Sequence, residues 1–332
     1  MLRWLVSALF LALPIGTTIG ILLGIQAMNK ASGRPPPFSG GDDGNGLPGI
    51  GPIKGKDVVQ MKCDEAYGIE SKPKDGLDFT MNANPWGWKK GEPGNICMSV
   101  NLNGNRTYAT QFSAPIFNAT WQYPRATGTG NNVHAFPNAK VESKKLPVPV
   151  GSIRKLEFDV SWYLSLKNDS LAEVTETTGG DVDKNHINAN VAIDMFLDTD
   201  PTKAAESEKA AYEIMVWFAD FGTDAWPIGR DKALPDMGVK ARQTIGNTQF
   251  ELYSGQNTVT KQTVLTWKAA TTTNKFKGSL TPLLDAIFAL NDASYPKKTD
   301  QLGYFAFGQE AYSSDANVTF SVPELAVDFE TS

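Results

Sequence analysis

The chain has 332 residues, of which 41% are hydrophobic and 10% aromatic, so it is long enough to bury a sizeable core. Its formal net charge is −5 and it has no long basic run, which argues against a nucleic-acid partner because such proteins cluster Lys and Arg against phosphate. The two cysteines and two histidines fit no zinc motif, and no other cofactor motif is present, so the sequence predicts neither metal nor cofactor.

Residues 1–28 form an apolar segment that carries no charge after Arg3. A run of about 25 uncharged residues is long enough to span a bilayer, whereas a cleaved signal peptide usually has a shorter apolar core. We therefore expect this segment to be either a cleaved signal peptide or a signal anchor with one membrane span. In both cases the rest of the chain is expected to be extracellular, either secreted or anchored.

Residues 29–58 are rich in Gly and Pro and contain few apolar side chains. Such a segment has little surface to bury, so we expect a disordered linker. The remaining residues, 59–332, are expected to form the folded domain.

Four Asn-x-Ser/Thr sequons agree with export, and they lie at Asn105, Asn118, Asn168 and Asn317. The compartment outside the cell is oxidising. Cys63 and Cys97 are therefore expected to form a disulfide.

The region 59–332 consists mainly of short alternating runs, which are typical of β-strands because strand side chains point to opposite faces in turn. These runs cover 156–162, 191–197, 212–219, 250–253, 264–267, 304–312, 318–320 and 325–329. One helix is predicted, with Thr281 as its N-cap and an apolar stripe from Leu283 to Leu290. The polar stretches 167–184 and 198–209 are expected to be loops. Many strands with one helix predict an antiparallel β-sandwich.

The strand around Glu213 is unusual on both faces. Tyr212, Ile214 and Val216 form one apolar face, while Glu213 shares the other with Met215 and Trp217. An exposed strand face usually carries Lys, Thr or Ser. A single carboxylate among apolar and aromatic side chains is instead typical of the floor of a ligand site.

A second acid, Glu310, has a comparable setting. Alternation places it on one face with Gly308 and Tyr312, and the missing side chain at Gly308 would let a ligand approach. Two such glutamates suggest glycoside hydrolysis, in which one carboxyl protonates the leaving oxygen and the other attacks or activates water. A sugar-binding module would show similar aromatic residues without needing two acids.

These features resemble glycoside hydrolase family 12, a family of endo-β-1,4-glucanases with a jelly-roll fold. The resemblance runs in order from Cys63 to Phe329. It rests on Asn84-Pro-Trp-Gly87, flanked by the two cysteines, and on Asn190-Val-Ala-Ile-Asp-Met-Phe196, Tyr212-Glu-Ile-Met-Val-Trp217, Pro227-Ile-Gly229 and Phe307-Gly-Gln-Glu310. One departure is that Ala311-Tyr312 follow Glu310, where the family commonly has Pro-Phe.

The resemblance implies an all-β jelly-roll sandwich of two antiparallel sheets, concanavalin-like, with one short helix packed on it. It implies that Glu213 is the nucleophile, that Glu310 is the acid/base and that Asp194 supports Glu213. Glu310 must start protonated, so its pKa is expected to be raised by Glu213 and by burial. The implied sugar-binding residues are Asn84, Trp86, Trp121, Met215, Trp217 and Pro227.

The function implied is that of a monomeric, retaining endo-β-1,4-glucanase, a cellulase that hydrolyses internal β-1,4 bonds of cellulose-type glucans. One alternative is a xyloglucan-specific endo-β-1,4-glucanase or transglycosylase. A second alternative is a non-catalytic glucan-binding surface protein, although a pure binder has no need of an acid pair.

Overall fold

The computed structural model of the chain describes residues 57–66, 68–72, 76–103, 112–126, 133–166, 179–234 and 236–332. The predicted segment 1–28, nearly all of the predicted linker 29–58, and the sequons at Asn105 and Asn168 lie outside the described residues. Within the described ranges, no helix is long and apolar enough to cross a membrane.

Two sheets pack face to face as a β-sandwich, as predicted. The six-stranded sheet has the order β1 (Asp57–Cys63), β4 (Asn95–Asn103), β5 (Ile116–Gln122), β17 (Val318–Thr331), β8 (Ile153–Ser165) and β14 (Lys275–Ser279). The predicted disulfide is confirmed, since Cys63 and Cys97 are opposite each other on β1 and β4 and are bonded. The two predicted strands at the end of the chain are one strand, β17, whose register shifts between Ser321 and Glu324.

The eleven-stranded sheet carries the residues of functional interest. Its order is β11 (Ala241–Ile245), β12 (Thr248–Gln256), β13 (Thr263–Ala269), β10 (Tyr212–Phe221), β9 (Asn188–Asp198), β15 (Gln301–Gly308), β6 (Asn138–Glu142), β3 (Asp78–Asn82) and β2 (Ile69–Ser71). Two short strands complete it: β16 (Ala311–Ser313) pairs with β9, and β7 (Val148–Pro149) with β15. The described pairings are antiparallel except that of β10 with β13, which is parallel.

The core lies between the two sheets and is rich in aromatic side chains. The Phe158 ring of the six-stranded sheet stacks on Phe218 at 5.8 Å and packs against Phe307 at 5.4 Å, both from the eleven-stranded sheet. Phe158, Phe218 and Phe307 are at most 1% exposed. Burying such large side chains is the main stabilising contribution, of about 1.5–3 kcal/mol each. The core therefore holds one face of the eleven-stranded sheet and leaves the other face for function.

Three α-helices lie in the described ranges, and only the longest was predicted. Helix α3 (Thr281–Ala289) buries Leu283, Leu284 and Ile287. It begins at Thr281, so its N-cap is Leu280 and not Thr281. The helices α1 (Gly179–Lys184) and α2 (Pro201–Ala204) lie in the stretches that were expected to be loops. Both are too short to show an apolar period.

Candidate active site

Strand β10 places Glu213 on the face of the eleven-stranded sheet that points away from the core, here called the site face. Its alternate residues Ile214 and Val216 are fully buried in the core. Met215 is the register partner of Asp194 on β9, so Asp194 lies on the site face beside Glu213. The predicted alternation of this strand is therefore confirmed. The pairing with β9 also places another acid, Asp194, on the site face.

Glu310 reaches the same face by a different route from the one predicted. Strand β15 ends at Gly308, and Gln309 and Glu310 connect it to β16. Gly308 is needed for packing and not for ligand access, because a Cβ there would lie 2.3 Å from the Pro137 carbonyl oxygen. The expectation that Gly308 opens space for a ligand is therefore wrong. The neighbouring backbone fills that space.

Asn190 fixes the position of Glu310 through three hydrogen bonds. Its side-chain Nδ2 donates to Oε2 of Glu310, and its Oδ1 accepts from the Glu310 backbone N–H at 3.0 Å. Its own backbone N–H donates to the Glu310 carbonyl oxygen at 3.2 Å. Asn190 is fully buried. The acid is thus attached to β9 at both its backbone and its carboxyl group.

The three carboxyl groups interact electrostatically. Burial, followed by the charge of Glu310, raises the pKa of Glu213 to about 8, while a hydrogen bond with Asp194 opposes this rise. Burial raises the pKa of Glu310 to about 6, against the hydrogen bonds from Asn190 and Tyr312, which lower it. Burial and then the charges of Glu213 and Glu310 raise the pKa of Asp194 well above its ordinary range. At neutral pH the three groups therefore hold protons between them.

Asp194 acts as the hydrogen-bond donor to Glu213. Its side chain is 7% exposed, and its Oδ1 meets no donor among the described residues. A buried carboxylate without a donor is costly, whereas a protonated one donates to the carboxyl beside it. The raised pKa of Asp194 and its hydrogen bond with Glu213 both fit a neutral Asp194.

Such an arrangement suits acid-base and nucleophilic chemistry on one substrate atom. Two carboxyls that disfavour each other's charge share a proton over a range of pH, so one can donate it while the other is ionised. The ionised carboxyl can attack as a nucleophile, and the protonated one can protonate a leaving group.

Met215 and Trp217, both predicted to bind sugar, lie on the site face with Glu213. They are only 5% and 3% exposed, and the Trp217 indole N–H contacts the Met215 sulfur at 3.3 Å. Both belong to an apolar cluster with Ala192 and Tyr312. Their place on the site face agrees with the prediction. Because both side chains are buried, they pack against their neighbours in this cluster and expose little surface to a ligand.

Asn84 and Trp86 lie on a turn that follows β3, at the end of the sheet where β15 leads to Glu310. Asn84 has a positive φ of 45°, a conformation that Asn tolerates better than most residues. Its carbonyl oxygen accepts from the Phe136 backbone N–H at 3.0 Å, which anchors the turn to the segment before β6. Trp86 is 52% exposed, so its ring is free to stack on a ligand.

Trp121 cannot line the site, and the prediction that it binds sugar is wrong. It lies on β5 of the six-stranded sheet, is fully buried in the core, and donates to Gln309 Oε1 at 2.7 Å. It was predicted from the family resemblance alone, and the sheet to which a strand belongs cannot be read from such a resemblance. Pro227, which was also predicted to bind sugar, is buried in the loop that follows β10.

The two described sequons differ in accessibility. Asn118 lies on β5 and is 8% exposed, on the outer face of the six-stranded sheet and away from the acids. Asn317 is exposed, just before β17.

Two groups that contact Glu310 were missed as functional residues. Asn190 shares a strand face with Asp194, and this alternation could have indicated it. Tyr312 donates its hydroxyl to Oε2 of Glu310 at 3.1 Å. The only sequence signal that could have indicated Tyr312 was its difference from the Phe that the family commonly has at this position.

A family model described as Glycosyl hydrolase family 12 matches residues 169–330. The chain is 27% identical over 207 residues to a probable xyloglucan-specific endo-β-1,4-glucanase A of Aspergillus fumigatus, covering 61% of this chain and 67% of that protein. It is 28% identical over 249 residues to the protein of the same description from Aspergillus clavatus, covering 74% of this chain and 84% of the relative.

Solved structures share the fold. Endoglucanase 3 of Trichoderma harzianum superimposes with a TM-score of 0.59 at 22% identity, covering 82% of this chain and 98% of that one. A family 12 xyloglucanase from Bacillus licheniformis gives a TM-score of 0.56 at 14% identity, covering 82% and 100%. The family match over residues 169–330, the sequence relatives and the sandwich fold all point to similarity with glycosyl hydrolase family 12, and the chain is a glycoside hydrolase.

Proposed function

We propose that the chain is a retaining endo-β-1,4-glucanase in which Glu213 is the nucleophile, Glu310 the acid/base and Asp194 the supporting acid. The observation that carries this proposal is that Glu213 and Glu310 lie on one sheet face with Asp194 beside them, and that burial raises the pKa of both glutamates while the charge of Glu310 adds to the rise at Glu213. Two carboxyls with unequal environments are what double displacement at an anomeric carbon needs.

The reaction would proceed in two steps. In the first, Glu310 gives its proton to the glycosidic oxygen while Glu213 attacks the anomeric carbon, and the bond to the leaving sugar breaks. In the second, Glu310 takes a proton from water, the water oxygen attacks the same carbon, and the bond to Glu213 breaks. Two inversions at one carbon give net retention. Asp194, as a neutral donor, would stabilise the charge on Glu213 before attack and after release.

The substitutions Glu213→Gln and Glu310→Gln test this assignment with nearly the same shape and volume. Each should lower the release of reducing ends from soluble β-1,4-glucan by at least about a hundredfold, because general acid-base catalysis alone contributes about 10²–10⁴. The matched control is Glu157→Gln on β8 of the six-stranded sheet, which should leave turnover unchanged. Near-normal turnover in either site variant would overturn the assignment. Binding without any new reducing ends in the unaltered protein would favour the non-catalytic alternative.

Xyloglucan is the second candidate substrate, and the names of the curated relatives favour it. The first candidate is the unbranched β-1,4-glucan backbone itself, hydrolysed at internal bonds. Initial rates on carboxymethyl cellulose, mixed-linkage glucan and xyloglucan would separate them. A rate on xyloglucan at least tenfold above the other two would assign the branched substrate. Products that are longer than the starting glucan chains would indicate transglycosylation.

Export of the domain is a separate proposal, which rests on the apolar segment 1–28. The catalytic domain would occupy 59–332, beyond the linker 29–58, and act outside the cell as a monomer. Amino-terminal sequencing of the mature protein distinguishes the two forms of this proposal, since a start near Met28 would exclude a signal anchor.

A further inference from the structure

Tyr312 lies directly against the proposed acid/base but has no role in the two steps above. It belongs to the short strand β16, which pairs with β9, and its side chain is 9% exposed. The His134 backbone N–H donates to the Ala311 carbonyl oxygen at 2.9 Å, and the His134 ring nitrogen Nδ1 contacts the Tyr312 carbonyl oxygen at 2.6 Å. The backbone of Tyr312 is therefore fixed from both sides.

The ring of Tyr312 is held by apolar contacts. It packs in one cluster with Val133, Ala192, Met215 and Trp217. The phenol hydroxyl donates to Oε2 of Glu310 at 3.1 Å. A rigid ring with its hydroxyl aimed at one carboxyl oxygen is a fixed donor that requires little reorganisation during a reaction.

The two oxygens of Glu310 therefore differ. Oε2 accepts two hydrogen bonds, one from the Asn190 amide and one from the Tyr312 hydroxyl. No described residue donates to Oε1. When the carboxyl is protonated, the proton lies on Oε1, since Oε2 is already occupied by donors. Oε1 is then the carboxyl oxygen that is left to transfer the proton.

We propose that Tyr312 is a positioning residue that directs the transferable proton of Glu310 onto Oε1 and sets the pH range in which Glu310 acts as an acid. This inference rests on the proposed function of Glu310. In the first step the proton leaves Oε1 for the glycosidic oxygen, and in the second step Oε1 receives the proton of water. Oε2 keeps its two donors in both states. The Phe that the family pattern commonly has at this position could not do this.

The direction in which the pH profile moves follows from the charges around Tyr312 and Glu310. A donor to the ionised carboxylate lowers its pKa, and Tyr312 does this to Glu310. The other ionisable groups that face Tyr312 and Glu310 are Glu213 on β10, Asp194 on β9 and His134, whose ring nitrogen contacts the Tyr312 carbonyl oxygen. Burial and then the charge of Glu310 raise the pKa of Tyr312 well above its ordinary range, and Asp224, which is paired with Arg125 at 2.6 Å, adds a smaller rise. Tyr312 therefore stays a neutral donor across the working range.

The test is Tyr312→Phe in the full chain, with the pH profile of kcat/KM on a soluble β-1,4-glucan as readout. The unaltered enzyme should be active between about pH 6 and 8, where Glu213 and Glu310 together hold one proton. The pKa of Glu213 is the higher of the two in the free site, so the proposed roles require substrate binding to place that proton on Glu310. Removing the hydroxyl raises the pKa of Glu310, so the profile should move to higher pH by up to about one unit. The ring and its packing remain, so the melting temperature should not change.

A second readout separates proton donation from packing. Aryl β-cellobiosides with poor leaving groups need protonation, whereas those with acidic phenols do not. Tyr312→Phe should slow the first kind about tenfold or more and leave the second kind nearly unaffected. The matched control is Tyr253→Phe, which also removes a hydroxyl that donates to a carboxylate, Glu251 at 2.8 Å, and should change neither readout.

The outcomes distinguish this inference from the proposed function. A pH profile for Tyr312→Phe that coincides with that of the unaltered enzyme, or that moves to lower pH, would overturn the role of Tyr312. A loss of rate that is equal for all leaving groups would do the same. Near-normal turnover of Glu310→Gln would instead overturn the proposed function, and the inference with it.

Discussion

At the scale of single residues, the site depends on which of three close carboxyl groups holds a proton. Asp194 is the most buried of them and has the strongest reason to stay neutral, because two neighbouring carboxyls oppose its ionisation. A neutral Asp194 donates its hydrogen bond to Glu213 and lowers the pKa of that group. We therefore propose that Asp194 is a positioning residue that acts through Glu213.

The pair of variants Asp194→Asn and Asp194→Ala tests whether Asp194 acts as a neutral donor. Asn keeps an N–H donor toward Glu213, whereas Ala removes it. We expect Ala to lower kcat/KM by about tenfold to a hundredfold, the size of a lost hydrogen bond to a charged group, and Asn to lower it much less. The Ala variant should also move the pH profile upward, since the pKa of Glu213 rises. Equal losses in the two variants would contradict the donor role.

Residues of the site differ in how far the sequence could predict them. Glu213 stood out because a carboxylate between Met215 and Trp217 breaks the usual pattern of an exposed strand face. The hydrogen bonds of Asn190 to Glu310 could not be predicted, because they join residues 120 positions apart and depend on how the chain passes from β15 to β16. The alternation of residues along a strand shows which side chains share a face of the sheet. It does not show which donor forms a hydrogen bond with which acceptor.

At the scale of elements, the connection from β15 to β16 determines where Glu310 lies. The strand was expected to continue to Tyr312, but it ends at Gly308, and the Gln309 backbone N–H donates to the Pro137 carbonyl oxygen at 3.0 Å. Because the chain leaves the pairing of β15 here, Glu310 can form hydrogen bonds with Asn190 on β9. Gly308 permits it because the Pro137 backbone occupies the space that a side chain would need.

The variant Gly308→Ala tests this reading of the turn. Its Cβ would meet the Pro137 carbonyl oxygen at 2.3 Å and Asn138 Cβ at 2.7 Å, so backbone has to move. We expect a loss of stability of about 1–3 kcal/mol and a clear loss of kcat/KM, because Glu310 shifts with the turn. Thermal unfolding and initial rates on soluble β-glucan measure both.

Gly278→Ala on β14 is the matched control. There the nearest atom to a new Cβ is a side-chain carbon, Ile245 Cγ2 at 2.5 Å, which can move. This variant lies in the other sheet and should change stability less and activity not at all. Unchanged activity in Gly308→Ala would show that the turn does not determine the position of Glu310.

At the scale of the whole molecule, two sheets pack their apolar faces together and leave one face of the larger sheet for chemistry. This architecture could be predicted, because alternation and the single long helix are local signals. The sheet to which each strand belongs could not, and Trp121 shows the consequence. It was assigned to the site from the family resemblance, whereas β5 belongs to the six-stranded sheet and buries its indole in the core.

The measurement that tests the central claim most directly is the capture of the covalent intermediate. An activated 2-deoxy-2-fluoro cellobioside should react with Glu213 and then turn over slowly, since the fluorine destabilises the oxocarbenium-like transition state. Mass spectrometry of a proteolytic digest would then locate the added sugar. We predict a mass increase of one fluorinated cellobiosyl unit on Glu213, formed readily in the unaltered enzyme and absent in Glu213→Gln. A label on another carboxyl, or turnover of natural glucan with no label at all, would contradict the account.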